Sequence, residues 1–135
     1  MKKCGKDFQV THNAIVREVN NMVMGSHCFV GNGVVLMGSG TIEIGDNVMI
    51  APHSVIVSGN HTSLFGAYKK GPIDAGQVKI KSGSWIAANC TVAKGAVLPE
   101  DSVLCANSFL NKAYSTAHSV YGGVPAGLIN TRTDA

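Results

Sequence analysis

The sequence predicts an all-β fold in which short parallel strands stack as coils around one column of aliphatic side chains. Two observations indicate this fold. An aliphatic residue recurs at every sixth position over most of the chain, and glycine is abundant (16 of 135 residues) whereas aromatic residues make up only 6%. Six residues suffice for one short strand and one corner, so three such units close a coil of about eighteen residues.

The aliphatic repeat keeps its spacing on both sides of one long interruption, apart from a two-residue slip after Leu36. Its twelve positions are Met24, Val30, Leu36, Ile44, Ile50, Ile56, Ile80, Ile86, Val92, Leu98, Leu104 and Leu110. A helix is excluded, because a period of six places successive aliphatic residues on different sides of a helix with 3.6 residues per turn. No single coil can bury its inward face alone, so the repeat predicts one continuous core.

Four full coils are predicted from this register. They comprise residues 24–41, 44–61, 80–97 and 98–115. Residues 1–23 are expected to form a weaker leading part-coil or an N-terminal segment, with Val10, Val16 and Met22 pointing inward. Residues 116–135 are expected to form a closing turn and a C-terminal tail, and the whole chain is expected to be one domain.

The corners between strands are predicted from small and flexible residues. Segments such as GNG (31–33) and GDN (45–47) tolerate the positive φ that a tight corner requires. Cys28 and Cys90 fall on small-residue positions of the repeat, so they are expected to pack rather than react. The four cysteines form no C-x-x-C pair, which favours reduced thiols.

Composition argues against several classes of function. The net charge is +3, and the chain has no dense run of Lys and Arg, so no nucleic-acid partner is expected. No window approaches the roughly 18 apolar residues of a membrane span, so no membrane partner is expected. The N-terminal stretch MKKCGKDFQ has no apolar run after its lysines and is not typical of a secretory signal, which favours a cytoplasmic location.

The repeat is interrupted once, and the interruption begins directly behind His61. Residues 62–77 are predicted to be an extruded loop, and inserted loops longer than about a dozen residues are usually functional or disordered. This loop contains Phe65, Tyr68 and Ile73, which a purely disordered loop would not carry. We therefore expect the loop to pack on a neighbouring subunit and His61 to belong to a functional site.

Three stretches carry a resemblance to a known family: IGDNVMIAPHSVIVSGNH (44–61), VKIKSGSWIAANCTVAKGAVLPEDSVLCANSFLNK (78–112) and VYGGVPAGLI (120–129). On these stretches the chain resembles the hexapeptide-repeat acyltransferases, most closely those of the maltose and galactoside O-acetyltransferase type. The resemblance implies a left-handed parallel β-helix and a homotrimer with active sites between subunits. It also implies acetyl-CoA as co-substrate and no required metal.

The same resemblance assigns roles to individual residues. His61 would be the general base of a direct acetyl transfer, because imidazole can accept a proton near neutral pH. Backbone N–H groups near Ala87 and Ala88 would stabilise the tetrahedral oxyanion. The residues expected to bind the cofactor are Trp85, Ala87, Ala88, Ala106, Asn111, Lys112 and Arg132. The pair Asn111–Lys112 stands where the family has Thr-Lys, and Arg132 would meet a phosphate.

The acceptor stays open at this point. Between Gly25 and Ile44 the chain is shorter than the sugar acetyltransferases that it resembles, and the stretch that helps to bind the sugar there has no counterpart. A sugar, a polysaccharide unit, a nucleotide sugar, an amine or a drug would each be compatible. The acetylated atom could therefore be oxygen or nitrogen.

Two alternatives to an acetyltransferase remain open from the sequence. One is a non-catalytic β-helix scaffold, which would need neither a loop histidine nor a cofactor groove. The other is a γ-type carbonic anhydrase, which needs three histidines around a metal. His53 and His61 are eight residues apart and no histidine follows until His118, which disfavours this site. His53 is expected to face solvent, and His12 and His27 lie outside ligand-like spacing.

Overall fold

The computed structural model describes residues 1–133, and these residues are organised almost entirely as short strands. In chain order the strands are β1 Lys3–Cys4, β2 Gln9–Val10, β3 Ile15–Arg17, β4 Met22–Met24, β5 Phe29–Val30, β6 Val35–Met37, β7 Thr41–Ile44, β8 Met49–Ile50, β9 Val55–Val57, β10 Gly59–His61, β11 Ile73–Ala75, β12 Gln77–Ile80, β13 Trp85–Ile86, β14 Thr91–Val92, β15 Val97–Leu98, β16 Val103–Leu104, β17 Phe109–Leu110, β18 Ser119–Gly123 and β19 Ala126–Thr131. Helix within residues 1–133 is limited to two 3-10 turns, Val19–Asn21 and Tyr68–Lys70. None of these residues forms a helix long and apolar enough to cross a bilayer.

Three parallel sheets enclose one core, so the coils are triangular in cross-section. Face 1 contains β1, β4, β7, β12 and β15; face 3 contains β3, β6, β9, β14 and β17. Face 2 contains β2, β5, β8, β13, β16 and β18, with β19 added antiparallel. We name the three connecting edges by the faces they join: edge 1/2, edge 2/3 and edge 3/1. The predicted parallel β-helix is thereby confirmed.

The number of coils differs from the prediction. The structure has five complete coils, and β18 begins a sixth, whereas four full coils and a leading part-coil were expected. Strands β1, β2 and β3 form a complete first coil that pairs in parallel with β4, β5 and β6. Val10 and Val16 are 43% and 36% exposed because this coil has a neighbouring coil on one side only.

Coil length explains the two-residue slip. In the first three coils paired residues are twenty apart, as in Val10 and Val30, whereas Ile86 and Leu104 in later coils are eighteen apart. Met22 points inward as expected, but it belongs to β4 of the second coil, two residues before Met24, and not to the leading coil.

The predicted aliphatic positions form the core. All twelve are at most 2% exposed, and they belong to one cluster of buried side chains. Burial of an aliphatic side chain of this size contributes roughly 1.5–3 kcal/mol. The column of stacked Ile, Leu, Val and Met side chains is therefore the main source of stability.

The corners follow the predicted chemistry. Positive φ values occur at glycines such as Gly33 and Gly83, and at Asn47, Asn89 and Asp101. These are the residue types that tolerate a left-handed backbone best. The tight turns that they form let each coil close over only a few residues per corner.

The inward corner positions hold small side chains with satisfied polar groups. The hydroxyl of Ser54 donates to the carbonyl oxygen of Ala87 at 2.9 Å, and that of Ser84 donates to Pro99 at 2.7 Å. Cys28 and Cys90 are buried as predicted, and burial raises the pKa of both thiols. Both are free thiols, as are Cys4 and Cys105.

The C-terminal end of the core is closed by the antiparallel pair β18–β19. Tyr121 of β18 is fully buried and donates its hydroxyl to the carbonyl of Thr116 at 2.6 Å. Tyr114 packs against the Tyr121 ring, with centroids 4.9 Å apart, and donates to the carbonyl of Ala126 at 2.8 Å. The last two residues of the expected tail 116–135 lie outside the described residues.

Candidate functional site

The interruption of the repeat is a two-stranded ribbon that projects from edge 3/1. Strands β10 and β11 pair antiparallel, with Gly59 opposite Ala75 and His61 opposite Ile73. The backbone N–H of Gly76 donates to the carbonyl of Ser58 at 2.8 Å and closes the base. The excursion therefore comprises residues 59–76, and the expected boundaries 62–77 are shifted: Gln77 already belongs to β12.

Three glycines at the base of the ribbon, Gly40, Gly59 and Gly76, let the chain leave the coil stack and return without disturbing the coils. A Cβ at Gly40 would lie 2.1 Å from the carbonyl oxygen of Gly76, and one at Gly59 would lie 2.9 Å from Cγ2 of Ile73. Contacts this short do not occur between real side chains and backbone, so any larger residue would push the base apart. Above and below the ribbon, β7 pairs directly with β12 and β9 with β14, as in an uninterrupted stack.

His61 is the last residue of β10, and its side chain is exposed. No hydrogen bond or ion pair to its ring is formed by any group of residues 1–133. Both ring nitrogens are therefore accessible to a ligand or to a second protein chain. As an isolated and accessible imidazole on an ordered strand, His61 has the properties that a general base requires.

The remaining histidines are engaged or lie at corners. His27 and His118 donate from Nδ1 to Asp7 and Asp101, each at 2.8 Å. His53 is exposed, as expected, and has a φ of 63° at edge 2/3. Among residues 1–133 of a single chain no three His, Cys, Asp or Glu side chains converge to hold a metal ion.

The ribbon carries exposed apolar side chains, most of them at its tip. Phe65 is 91% exposed, Tyr68 is 66% exposed, and Leu64 and Ile73 are each 43% exposed. Within the single chain these side chains therefore have little to pack against. This exposure is compatible with the expected contact to a neighbouring subunit.

Several of the expected cofactor residues lie close together at edge 2/3 and the adjoining part of face 2. Trp85 is 45% exposed in β13, and its neighbours across the sheet are Met49 and Val103. Ala88 and Ala106 are exposed and occupy equivalent corner positions in successive coils, where the N–H of Asn107 donates to the carbonyl of Ala88. Two small residues beside an exposed indole leave room for a ligand along this edge.

The two candidate oxyanion donors differ. The N–H of Ala87 donates to the carbonyl of Leu104 at 3.0 Å within the coil ladder, and Ala87 is buried. It is therefore not available to a ligand, which corrects the expectation for this residue. The N–H of Ala88 has no acceptor among residues 1–133, so it remains able to donate.

The expected phosphate-binding residues are separated by the fold. Asn111 and Lys112 follow β17 at edge 3/1, where both are exposed, and Lys112 has no acidic partner in the described part of the chain. Arg132 lies instead beside edge 1/2, where its Nη2 donates to Asp101 at 2.6 Å. Arg132 thus contacts a carboxylate and lies away from Lys112.

His61 and Trp85 lie on opposite sides of the prism. His61 is at edge 3/1, and Trp85 is on face 2, which is the face opposite that edge. The aliphatic core separates them, so one chain cannot bring both to the same ligand. Two shallow depressions of about 370 Å³ lie on face 1 and edge 1/2, and neither is lined by His61 or Trp85.

One polar contact at the ribbon was not predicted. Lys94, on the coil below, forms an ion pair with Asp74 of β11. No sequence signal marks Lys94, because the equivalent corner positions vary widely and include another lysine, Lys112. The partner of Lys94 could not be identified, since the path of the ribbon is not encoded in the repeat.

Curated relatives support the resemblance that the sequence indicated. The chain is 25% identical over 115 residues to the galactoside O-acetyltransferase of Escherichia coli K12, which covers 85% of this chain and 56% of that protein. It is 27% identical over 132 residues to the putative colanic acid biosynthesis acetyltransferase WcaF of the same organism, and this match covers 98% of this chain and 70% of WcaF. The chain thus spans little more than half the length of the first of these relatives. No protein-family profile matches it.

Solved structures agree with the fold. A maltose O-acetyltransferase from Clostridium difficile superposes with a TM-score of 0.85 at 27% identity, covering 96% of this chain and 68% of that one. A hexapeptide-repeat-containing acetyltransferase from Vibrio cholerae, complexed with acetyl coenzyme A, superposes with a TM-score of 0.84 at 23% identity, covering 94% and 69%. In sequence and in fold the chain is thus similar to proteins of the hexapeptide-repeat acetyltransferase class. The predicted resemblance to maltose and galactoside O-acetyltransferases within that class is confirmed.

Proposed function

We propose that this protein is an acetyl-CoA-dependent acetyltransferase that moves an acetyl group to a hydroxyl of a sugar or polysaccharide unit. The observation that carries the proposal is the ribbon, which leaves an otherwise continuous coil stack and holds His61 exposed at its base. Relatives named galactoside and maltose O-acetyltransferase support a saccharide acceptor. A cytoplasmic location is part of the proposal, because acetyl-CoA is available there.

The active site would form between two copies of the chain in a homotrimer. His61 and Trp85 lie on opposite sides of one prism. His61 of one chain can therefore meet Trp85 of another only if edge 3/1 of the first chain packs against face 2 and edge 2/3 of the second. The exposed tip of the ribbon would then reach across to the neighbouring chain. Burial of Phe65 and Tyr68 in that contact would offset the cost of exposing them in the isolated chain.

Direct transfer follows from the groups that this site would contain. A ring nitrogen of neutral His61 accepts the proton of the acceptor hydroxyl while the hydroxyl oxygen attacks the thioester carbonyl carbon. The N–H of Ala88 donates to the developing oxyanion. The tetrahedral intermediate collapses by breaking the carbon–sulfur bond, and the imidazolium returns its proton to the leaving thiolate. The products are the acetyl ester and coenzyme A, and no metal is needed.

The remaining cofactor residues would bind rather than react. Trp85 would cover the acetyl end, and Ala88 and Ala106 would allow the pantetheine chain to lie against edge 2/3. Lys112 would meet a phosphate with its unpaired ammonium group, assisted by Asn111. Arg132 is a weaker phosphate ligand, because Asp101 already accepts a hydrogen bond from its guanidinium group.

The test is an acetyl-transfer assay with purified protein. Thiol release from acetyl-CoA is followed with a panel of galactosides, maltose, polysaccharide fragments, amino sugars and amines, and products are identified by mass spectrometry. We expect transfer to at least one hydroxyl-bearing saccharide. A product acetylated on nitrogen would replace the proposed acceptor, and no thiol release with any acceptor would favour the scaffold alternative.

The role of His61 is tested by His61→Ala, with His12→Ala as the matched control. His12 is also exposed but lies in the first coil, away from the ribbon. Loss of a general base is expected to lower kcat by about 10²- to 10⁴-fold, with little change in the control. If the rate of His61→Ala equals that of the unaltered protein, the assigned base is wrong.

A further inference from the structure

The ribbon that carries His61 is held to the coils by few contacts. At its base, two backbone hydrogen bonds involve Gly76: its N–H donates to the carbonyl of Ser58 at 2.8 Å, and its carbonyl accepts from the N–H of Thr41 at 2.9 Å. In the described part of the chain, the only ion pair between the ribbon and a coil joins Asp74 of β11 to Lys94 of edge 3/1. Beyond these hydrogen bonds at Gly76, the backbone hydrogen bonds of the ribbon, such as Thr62 to Pro72, lie within the ribbon itself.

The Lys94 side chain lies across the base of the ribbon. A Cβ at Gly76 would lie 2.5 Å from Cγ of Lys94 and 2.8 Å from its Cε. The aliphatic part of Lys94 therefore occupies the space that any side chain at position 76 would need. The Lys94 side chain is 27% exposed, less than that of Asp74 at 52%, in keeping with a stem laid along the backbone.

The register of the ribbon connects this ion pair to His61. Asp74 is directly opposite Asn60 in the antiparallel pair, and the next residue pair along is His61 with Ile73. Because the backbones of β10 and β11 are paired, a displacement of Asp74 also displaces β10. Rotation of β11 about the base would move His61 with it, because the two strands form one rigid ribbon.

We propose that the ion pair between Lys94 and Asp74 is a latch that sets the direction in which the ribbon projects from edge 3/1. Lys94 and Asp74 are thus positioning residues for His61. The catalytic consequence rests on the proposed function, whereas the effect on the ribbon does not. Removing this ion pair leaves the coils folded, since the core residues beneath it are unchanged. It allows the orientation of the ribbon, and with it the position of His61, to vary.

The test uses charge exchange on the full chain. Lys94→Asp places two carboxylates together, Asp74→Lys places two ammonium groups together, and the double exchange restores an opposite-charge pair. Lys81→Asp is the matched control, because Lys81 forms a comparable exposed ion pair with Glu100 at 3.4 Å on edge 1/2, away from the ribbon. Thermal unfolding of each variant verifies that the coils remain folded.

Two measurements do not depend on activity. Amide hydrogen exchange reports the order of residues 59–75, and the rate of His61 modification by diethylpyrocarbonate reports its surroundings. We expect each single variant to raise exchange in residues 59–75 by roughly three- to fivefold, the effect of losing one partly exposed ion pair. The double exchange should restore slow exchange, and Lys81→Asp should leave the ribbon unchanged.

A third measurement concerns catalysis. If the proposed function holds, the single variants lower kcat by roughly the same three- to fivefold, with the KM for acetyl-CoA within about twofold of the unaltered protein. The double exchange recovers kcat, which a general loss of folding would not allow. Unchanged exchange in Lys94→Asp, or failure of the double exchange to restore it, overturns the latch. A responsive ribbon in a protein without transferase activity supports the latch and overturns the proposed function.

Discussion

Leu64 and Ala67 exchange two backbone hydrogen bonds, each of 3.1 Å, across the tip of the ribbon. The two residues between them, Phe65 and Gly66, both have positive φ, at 52° and 74°. This is a two-residue turn that normally prefers Asn-Gly, because both central residues must be left-handed. A phenylalanine there costs about 1–2 kcal/mol relative to a right-handed backbone, and its ring is almost fully exposed.

Phe65→Asn is expected to separate two effects of residue 65: its effect on the stability of the turn and its effect on self-association of the chain. Asparagine relaxes the turn, so the thermal stability of the isolated chain should stay the same or rise slightly. The loss of the aromatic ring should weaken self-association at least about tenfold, as for an interface anchor. Sedimentation velocity over a concentration series measures this. Unchanged association would show that the tip does not contact a second chain.

Core substitutions should show a strong difference between the fifth and the first coil. Leu98→Ala creates a cavity at a fully buried position of the fifth coil and should lower the free energy of unfolding by about 2–5 kcal/mol. Val16→Ala, at a position that is 36% exposed, should cost less than about 1 kcal/mol. Urea denaturation of both variants is the measurement. Equal losses would contradict the picture of one stacked core with a less covered first coil.

The inward column was predictable because the spacing of six is repeated so often. All twelve aliphatic residues of the predicted repeat are buried core residues, and the corner residues followed from their tolerance of positive φ. The first coil was underestimated because Cys4 is not aliphatic, although it pairs with Met24. The pairing of Met22 with Ile42 was missed because face 1 strands β4, β7 and β12 carry a second inward residue two positions before the repeat position, which a spacing of six does not mark.

The four cysteines should react in a defined order. Burial raises the pKa of Cys28 and Cys90, which keeps both as unreactive thiols in the folded protein. Cys4 is exposed and Cys105 half-buried. A thiol reagent at neutral pH should therefore label Cys4 fastest and Cys105 more slowly. Cys28 and Cys90 should be labelled only after unfolding, which peptide mass spectrometry can establish. Fast labelling of Cys90 would contradict its packing in the core.

The stability of the C-terminal hairpin β18–β19 should depend on the carboxylate of Asp101. Hydrogen bonds from His118 and Arg132 hold the pKa of Asp101 below its usual value. A lowered folded-state pKa stabilises the protein above the unfolded pKa of about 3.9, and this contribution disappears as the pH falls through the folded value. Asp101→Asn should therefore lower the melting temperature by a few degrees at neutral pH. Its difference from the unaltered protein should shrink as the pH falls below the unfolded pKa of about 3.9 and through the lower folded value.

The control for this measurement is the neighbouring pair Lys81–Glu100. The pKa of Glu100 is also lowered, first by a hydrogen bond to its own backbone and then by Lys81. Lys81→Gln leaves Asp101 and its partners intact, so it should preserve most of the pH dependence seen near Asp101. A melting difference for Asp101→Asn that does not change with pH would show that the carboxylate charge is not the cause.

The candidate site was only partly predictable. His61 could be singled out because the repeat stops there, and Trp85, Ala88 and Lys112 because of the family resemblance. The direction of the ribbon, and the occupied N–H of Ala87, depend on pairing between coils that no local pattern encodes. The same holds for Arg132, whose carboxylate partner is thirty-one residues away in the chain.

The coils above and below the ribbon pair with each other as though no residues had been inserted. The folding energy of the scaffold is therefore nearly independent of what is attached at that opening, since lengthening a closed loop costs little entropy. A different segment could be grafted between Ser58 and Gln77, provided that the three glycines at the base are kept. The specificity for the acceptor could then change through replacement of this one segment, while the stacked coils stayed unchanged.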